Sequence, residues 1–139
     1  MNAVELNKTV MQRYFDEGWN RGRLEVFDEI IDPQYVDRIP ILPNLGTGPG
    51  SVKPLVVMLR RAFPDLKIVI EDRVVTEHKA ATRYTLYGTH QGDFFGFPPT
   101  GKRVAVKHFQ IDRFVNGKVV EQWHLSDGLG LLRQLGKLI

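Results

Sequence analysis

The run from Val104 to Asp127 predicts one long β-hairpin, and it constrains the fold more than any other segment. Two stretches rich in β-branched and aromatic residues, VAVKHFQIDRFV and KVVEQWHLSD, flank the pair Asn116-Gly117. Asn-Gly favours a two-residue hairpin turn because both central positions need positive φ. These strands carry histidine, glutamine, tryptophan and aspartate, where an ordinary surface hairpin would carry lysine, threonine and glutamate. The hairpin is therefore predicted to form the wall of a pocket.

The turn predicts which hairpin residues share a face. A two-residue turn pairs Val115 with Lys118, and the register follows outward from that pair. The resulting opposite pairs on one face are Gln110 with Trp123, His108 with Leu125, and Val106 with Asp127. In this register Asp127 and His108 are diagonal neighbours, roughly 7–8 Å apart at the backbone. A three-residue loop with a bulge would instead shift the register by one residue and remove the histidine from the Asp127 face.

The rest of the chain predicts helices first and strands later. The predicted helices span residues 2–19, 24–31, 51–63 and 129–135, and the predicted strands span residues 35–39, 66–76, 80–90, 104–115 and 118–126. Three helices before an antiparallel meander indicate an α+β domain, in which the helices pack on one face of a curved, mainly antiparallel sheet. Such a sheet leaves a hollow beneath the helices, where small-molecule sites commonly form.

Length and composition predict a single globular domain over residues 1–139, with 42% hydrophobic and 25% charged residues. The net charge is +3, and the basic residues are scattered among acidic ones, which argues against a nucleic-acid partner. The chain has no cysteine, and its four histidines lack metal-site spacing, so no metal site is predicted. Without a signal peptide or a membrane-length apolar run, we expect a cytoplasmic protein with no membrane partner.

An ordered set of segments resembles a known family. These segments are YFDEGWN (14–20), AFPDL (62–66), GTHQGDFFGFPPTGK (88–102), FVNGKVVEQW (114–123) and LGLLRQLG (129–136). Together with Asp127 they resemble the SnoaL-like polyketide cyclases, also called ester cyclases, which belong to the nuclear transport factor 2-like superfamily. The resemblance covers nearly the whole chain, and the ordered set is more specific than any one segment.

The resemblance implies a cone-like α+β fold, a deep apolar pocket and a homodimer formed through the sheet. It also implies chemistry without a cofactor, in which a late aspartate serves as acid and base during intramolecular aldol ring closure of a polyketide ester. Asp127 matches that aspartate by its place after the Glu-x-Trp motif. Relatives often carry a histidine shortly after the Tyr-Val-Asp segment, where this chain has Arg38, so a catalytic histidine at that place is not supported here.

Asp127 and His108 are the predicted catalytic residues. A carboxyl in an apolar pocket has a raised pKa and serves as acid or base near neutral pH. The pattern alone favours Asp127 as the N-cap of the last helix, and the resemblance favours the pocket. His108 would orient Asp127 or polarise a substrate carbonyl. In this register His124 lies on the opposite face from Asp127, which predicts a structural or interfacial role.

A larger group of residues is predicted to bind the substrate. It contains aromatic side chains of the helices and loops together with polar side chains at strand ends. The members are Tyr14, Trp19, Tyr35, Arg38, His90, Phe95, Gln110 and Trp123. Phe95 belongs to a Phe-rich loop that would cover the pocket mouth or pack against a second subunit.

Two classes of function follow from these residues. The first is a cyclase that needs no cofactor and acts by proton transfer on an apolar carbonyl substrate. The alternatives are a module that binds an apolar ligand without chemistry, and an isomerase or hydrolase of the same superfamily.

Overall fold

The computed structural model describes residues 1–138 and confirms the α+β class. The helices are α1 (Ala3–Arg13), α2 (Glu25–Ile30), α3 (Lys53–Ala62) and α4 (Gly128–Gln134), with a π-helical segment (Tyr14–Trp19) that continues α1 and a 3-10 turn (Pro49–Ser51) before α3. The strands are β1 (Ile31–Asp37), β2 (Lys67–Val75), β3 (Lys79–Thr89), β4 (Arg103–Val115) and β5 (Lys118–Ser126). Most bounds lie within two residues of the prediction. β1 is the exception, because it begins four residues earlier than predicted.

The five strands form one mixed sheet in the order β1-β5-β4-β3-β2. Neighbouring strands are antiparallel except for β1, which runs parallel to β5. The predicted, mainly antiparallel sheet is therefore confirmed. The core lies between the inner face of this sheet and the helices, and Met11, Phe15, Phe27, Ile31 and Phe63 are among its fully buried residues.

The N-terminal helices are held in place by specific contacts. The Asn2 side chain caps α1, because its Oδ1 accepts from the Glu5 N–H at 2.9 Å. A Cβ at Gly18 would lie 2.5 Å from Cζ of Phe27, so only glycine lets α2 pack this closely. The Asn20 side chain donates to the Ile68 carbonyl at 3.0 Å and accepts from the Ile68 N–H at 2.7 Å. These contacts fix the π-helical segment against β2 and place its aromatic residues over the sheet.

The hairpin turn forms as predicted, but the strand after it contains a bulge. Asn116 and Gly117 have φ of 51° and 73°, and Val115 pairs with Lys118. The next pairs along the strands join Phe114 to Val119 and then Arg113 to Glu121, which leaves Val120 as one extra residue.

The bulge changes every pairing beyond it. Gln110 lies opposite His124 rather than Trp123, and His108 lies opposite Ser126 rather than Leu125. Because side chains alternate between faces, His124 turns inward and Trp123 turns outward. The first predicted register, and with it the faces of these two residues, is therefore wrong. The one-residue shift given as the alternative occurs, but the bulge lies in β5 and the predicted two-residue turn is correct.

No helix within residues 1–138 is both long enough and apolar enough to cross a membrane.

Candidate active site

One pocket with two chemically different ends lies between the helices and the inner face of the sheet. The polar end, about 40 Å³, combines aliphatic side chains with aromatic, amide, imidazole and carboxyl side chains that include Tyr14, Tyr35, Asp37, Gln110, Gln122 and His124. The apolar end, about 310 Å³, is lined mainly by aromatic and aliphatic side chains that include Met58, Phe63, Phe94, Phe95, Phe97 and Leu131. The two ends share Ile41, Leu55, Leu59, Leu86 and His108. His108 therefore lies where the two ends meet.

His108 and His124 form a pair at this junction. Nδ1 of His108 lies 2.9 Å from Nε2 of His124, so one of these nitrogens donates a hydrogen bond to the other. The His108 ring also stacks on Tyr84, with ring centroids 4.7 Å apart and the planes within 5° of parallel. Nε2 of His108 is buried and finds no hydrogen-bond partner in the described part of the chain. A buried polar atom of this kind is rare in proteins and points to a missing ligand atom.

Both imidazoles of the pair are neutral at pH 7. Burial lowers the pKa of His108 to about 3, and repulsion from His124 adds to this shift. Burial also lowers the pKa of His124 to about 4. Because neither ring is protonated at neutral pH, the pair has a free lone pair and can accept one proton.

A second polar cluster is centred on Asp112, which is fully buried beneath the polar end. Its Oδ1 accepts from Nε2 of Gln122 at 2.8 Å, and its Oδ2 accepts from Nε2 of Gln110 at 2.9 Å. The two amides extend the cluster to two tyrosines. The Tyr84 hydroxyl donates to Oε1 of Gln110 at 3.2 Å, and Nε2 of Gln122 also donates to the Tyr14 hydroxyl at 3.2 Å.

Asp112 is harder to ionise than an ordinary carboxyl. Burial raises its pKa to about 6, even though the bonds from Gln122 and Gln110 favour the charged form. Burial also raises the pKa of Asp37, a half-buried carboxyl that lines the polar end itself. The site therefore combines two carboxyls whose pKa values are raised, Asp112 and Asp37, with two imidazoles whose pKa values are lowered, His108 and His124.

Asp127 lies outside this pocket. Its Oδ1 accepts from the Gly130 N–H at 2.8 Å, so the residue is the exposed N-cap of α4. The carboxylate lines neither end of the pocket. The position in an apolar pocket that the resemblance implied is wrong, and the N-cap position that the pattern favoured is correct. β5 ends at Ser126, and the helix that follows uses the carboxylate to bind the Gly130 N–H. A role as acid or base stays a prediction without support from this geometry.

Five of the residues predicted to bind substrate line the pocket. Tyr14, Trp19, Tyr35 and Gln110 line the polar end. Phe95 lies in the loop after β3, has a positive φ of 49° and lines the apolar end. Their role in binding stays a prediction, and their position is consistent with it.

Arg38, His90 and Trp123 do not line either end of the pocket. Nε of Arg38 pairs with a carboxylate oxygen of Glu121 at 2.6 Å on the exposed side of the sheet. His90 is fully buried, and its Nδ1 accepts from a backbone N–H of the loop after β3. The Trp123 ring lies on the outer face of the sheet, 5.9 Å from Nζ of Lys79.

Several residues of the site escaped the sequence prediction. Asp37, Gln122 and His124 line the polar end of the pocket, and Asp112 lies behind it. A signal for part of this set was present in β4, where polar residues at 108, 110 and 112 alternate with the apolar residues Phe109 and Ile111. Strict alternation of this kind means that one face is polar and the other apolar. Only the positions of the helices decide that the polar face is the buried one.

Within residues 1–138, no group of three or more histidine, aspartate or glutamate side chains is arranged to hold a metal ion. The polar atoms that face the pocket are single nitrogens and hydroxyl, amide or carboxyl oxygens. They suit hydrogen bonds to an oxygenated organic molecule.

Comparison with known proteins gives a consistent result. The family described as SnoaL-like polyketide cyclase matches residues 9–135. Nogalonic acid methyl ester cyclase from Streptomyces nogalater is 33% identical over 119 residues, which cover 85% of this chain and 89% of that protein. Aklanonic acid methyl ester cyclase DnrD from Streptomyces peucetius is 30% identical over 125 residues, which cover 87% and 85% of the two chains. The structure of TsrD from Streptomyces laurentii superposes with a TM-score of 0.87 at 27% identity, covering 96% of this chain and 97% of that one.

Proposed function

The chain belongs to the SnoaL-like polyketide cyclase family, and from this premise we propose that it closes a ring in a polyketide ester by an intramolecular aldol reaction that needs no cofactor. The family predicted from the sequence is thereby confirmed. One observation carries the proposed reaction. A neutral His108–His124 pair lies where the polar and apolar ends of the pocket meet. A substrate can place its ring system in the apolar end and its oxygen atoms in the polar end. A base at the junction then lies next to the carbon that joins these two parts.

The proposed reaction is a proton transfer followed by carbon–carbon bond formation. The step uses the tautomer in which Nδ1 of His108 donates to Nε2 of His124, so that Nε2 of His108 carries a lone pair. This nitrogen takes a proton from the carbon next to the ester carbonyl, and an enolate forms. The enolate carbon attacks a second carbonyl of the same molecule, and that carbonyl oxygen becomes an alkoxide. The alkoxide then takes the proton from the imidazolium. No group leaves, so the product is an isomer of the substrate.

The low pKa of His108 is compatible with this role. Burial lowers the pKa because the imidazolium is poorly solvated inside the protein. As the proton is transferred, negative charge develops on the enolate beside the ring, and this opposite charge raises the proton affinity of the imidazole. His124, 2.9 Å away, can accept the other ring proton of His108 and thereby share the positive charge.

The pocket suits an aromatic substrate with a polar edge. Phe94, Phe95 and Phe97 line the apolar end and offer flat ring surfaces to a fused ring system. The amide and hydroxyl groups of the polar end suit ester and ketone oxygens. Two relatives are named as methyl ester cyclases, so nogalonic acid methyl ester is the first substrate to test.

The test is conversion of nogalonic acid methyl ester, followed by chromatography and mass spectrometry. We expect an isomer of unchanged mass, and deuterium at the acidic carbon of recovered substrate in heavy water. His108→Gln should lower kcat/KM on the order of 10³-fold, because general base catalysis is lost. His78→Gln is the matched control, since the His78 side chain is 80% exposed in the β2–β3 turn. Tight binding of the ester without any isomer would instead favour the binding-module alternative.

The homodimer implied by the family is part of the same proposal. Phe109, Ile111 and Leu125 are 62%, 43% and 65% exposed on the outer face of the sheet. Contiguous apolar residues on a sheet surface are typical of a protein interface. Light scattering during size-exclusion chromatography should give twice the 15.9 kDa mass of one chain. The cytoplasmic location expected from the sequence stays a prediction, which fractionation of the producing cells would test.

A further inference from the structure

The hydroxyl of Tyr35 is a buried donor without a partner. The residue is 1% exposed, lies on β1 and lines the polar end of the pocket. Its oxygen has no hydrogen-bond partner among the residues that the structure describes. An unsatisfied buried hydroxyl destabilises the folded state, so packing alone would favour phenylalanine here. Its presence beside a cavity indicates that the partner is a ligand atom.

Tyr14 offers a second donor to the same cavity. It is 3% exposed and lines the polar end together with Tyr35. Its oxygen accepts a hydrogen bond from Nε2 of Gln122 at 3.2 Å, which leaves its own hydroxyl hydrogen available. Two tyrosines, each with an available hydroxyl hydrogen, therefore line one small space.

Asp112 determines how Tyr14 is held. A glutamine amide can turn either its NH2 group or its oxygen toward a neighbour. The Asp112 carboxylate accepts from Nε2 of Gln122 at 2.8 Å, so this NH2 group points toward both Asp112 and Tyr14. With the amide turned the other way, Tyr14 would donate to Gln122 and lose its free hydrogen.

We propose that Tyr35 and Tyr14 bind the carbonyl oxygen of the substrate as an oxyanion site, and that Asp112 is a positioning residue that orients Tyr14 through Gln122. This inference rests on the proposed function, because it concerns the oxygen on which the enolate charge develops. When His108 removes the proton, the electron pair of the C–H bond moves to that oxygen. The two hydroxyls donate to it there, and both keep their protons.

The charges in the pocket agree with this arrangement. Burial raises the pKa of Tyr14 to about 12 and raises the pKa of Tyr35 strongly, so both hydroxyls remain donors at neutral pH. Asp112 does not line the cavity, and both of its oxygens accept from amides. His108, whose Nε2 has no partner in the described part of the chain, lines the same pocket. A base and two oxyanion donors are thus placed around one space.

Tyr35→Phe separates this role from a packing role. Loss of one oxyanion donor should lower kcat for nogalonic acid methyl ester roughly 100-fold, with a smaller change in KM. Tm should stay the same or rise, because an unsatisfied buried hydroxyl is removed. Tyr87→Phe is the matched control, since Tyr87 is 47% exposed and lies away from the pocket, and neither quantity should change. Turnover within twofold of wild type, or a fall in Tm that accompanies the loss, would overturn the proposal.

A second measurement does not require turnover. The probe is 2-naphthol, a fused aromatic phenol whose anion has its own absorbance and fluorescence. Wild type should bind it partly as the anion at a pH where free 2-naphthol is neutral. Tyr35→Phe should reduce the ionised fraction roughly 10-fold or more. If wild type binds no ionised 2-naphthol, the oxyanion site is wrong even where the cyclase is active. If the anion binds but no ester is cyclised, the site stands and the proposed reaction fails.

The positioning role of Asp112 has its own test. If Asp112 acts through Tyr14, the variant Tyr14→Phe/Asp112→Asn should ionise 2-naphthol no less than Tyr14→Phe alone. Asp112→Asn alone should reduce the ionised fraction. Additive losses in the double variant would show that Asp112 does not act through Tyr14.

Discussion

In the middle of the β4–β5 hairpin, the two faces reverse the usual distribution of polarity in a sheet. The inner face is covered by helices, yet it carries His108, Gln110, Asp112, Gln122 and His124. The outer face carries Phe109, Ile111, Trp123 and Leu125, of which Phe109 and Leu125 are more than 60% exposed. In an ordinary antiparallel sheet the covered face is apolar and the solvated face is polar. Neither face of this hairpin therefore serves stability alone.

The inner face is distinguished by buried polar atoms without a partner among the residues that the structure describes, and the outer face by exposed apolar side chains. Buried polar groups cost free energy unless they are hydrogen-bonded, and most of those on the inner face bond to one another. Two residues that line the pocket, His108 and Tyr35, each have one buried polar atom without a partner among residues 1–138, namely Nε2 and the hydroxyl oxygen. The inner face thus suits a polar part of a ligand, and the outer face suits another protein surface.

Two neighbouring residues of β5 give the sharpest test of this comparison. His124→Gln should lower kcat/KM on the order of 100-fold, because the partner of His108 loses its basic nitrogen. Leu125→Gln, one position further along and on the opposite face, should leave kcat/KM unchanged. Steady-state assays with nogalonic acid methyl ester provide the measurement. Equal losses in both variants would mean that the two faces do not differ in function.

The pH dependence of stability should distinguish the acid from the bases on the inner face. The pKa of Asp112 rises from 3.8 unfolded to about 6 folded, so its contribution is full below pH 4 and is lost as pH rises toward 6. The lowered pKa values of His108 and His124 act in the opposite direction, since their contribution is present above pH 6.5 and lost as pH falls. In wild type the two trends partly cancel between pH 4 and 6.

Asp112→Asn should remove the loss of stability that Asp112 causes as pH rises from 4 to 6. Between pH 4 and 6 its free energy of unfolding should then rise relative to wild type, by about 3 kcal/mol for a pKa raised from 3.8 to about 6. Urea denaturation at several pH values measures how the free energy of unfolding changes with pH. The new amide does not titrate, so its effect on stability is the same at each pH and does not change this slope. A slope identical to wild type would show that Asp112 is not a buried group with a raised pKa. Asp93→Asn, in the exposed loop after β3, serves as control.

Asp127 should show the smallest effects. Asn is also a good N-cap, so Asp127→Asn should change neither the unfolding free energy nor kcat/KM appreciably. Asp127→Ala should cost about 1 kcal/mol of stability through loss of the cap, with turnover unchanged. A loss of turnover in Asp127→Asn with an intact fold would restore the acid/base role predicted from the sequence.

Local patterns predicted most of the fold. These patterns depend on a few neighbouring residues. Examples are the spacing of apolar residues in α1, the Pro and Gly residues that end elements, and the Asn-Gly turn. β1 begins four residues earlier than predicted and contains Pro33. The strand tolerates this proline because it lies at the edge of the sheet, where a missing N–H costs little.

The site was only partly predictable, and the reason lies in one residue. Val120 is β-branched and suits a regular strand as well as a bulge, so nothing local marks it as the extra residue. Because side chains alternate with a period of two, this one residue exchanges the faces of everything after it in β5. The exchange brings His124 to His108 and sends Trp123 to the outer face.

The sequence by itself determined the family, the order of the elements, the hairpin turn and a pocket lined by Tyr14, Tyr35 and Gln110. These features depend on residue types and short spacings, which are visible in one dimension. The tertiary structure alone decided that the histidines pair and that Asp112 holds two amides. Those outcomes depend on which side chains meet across strands, and hence on the register that the bulge sets in the hairpin.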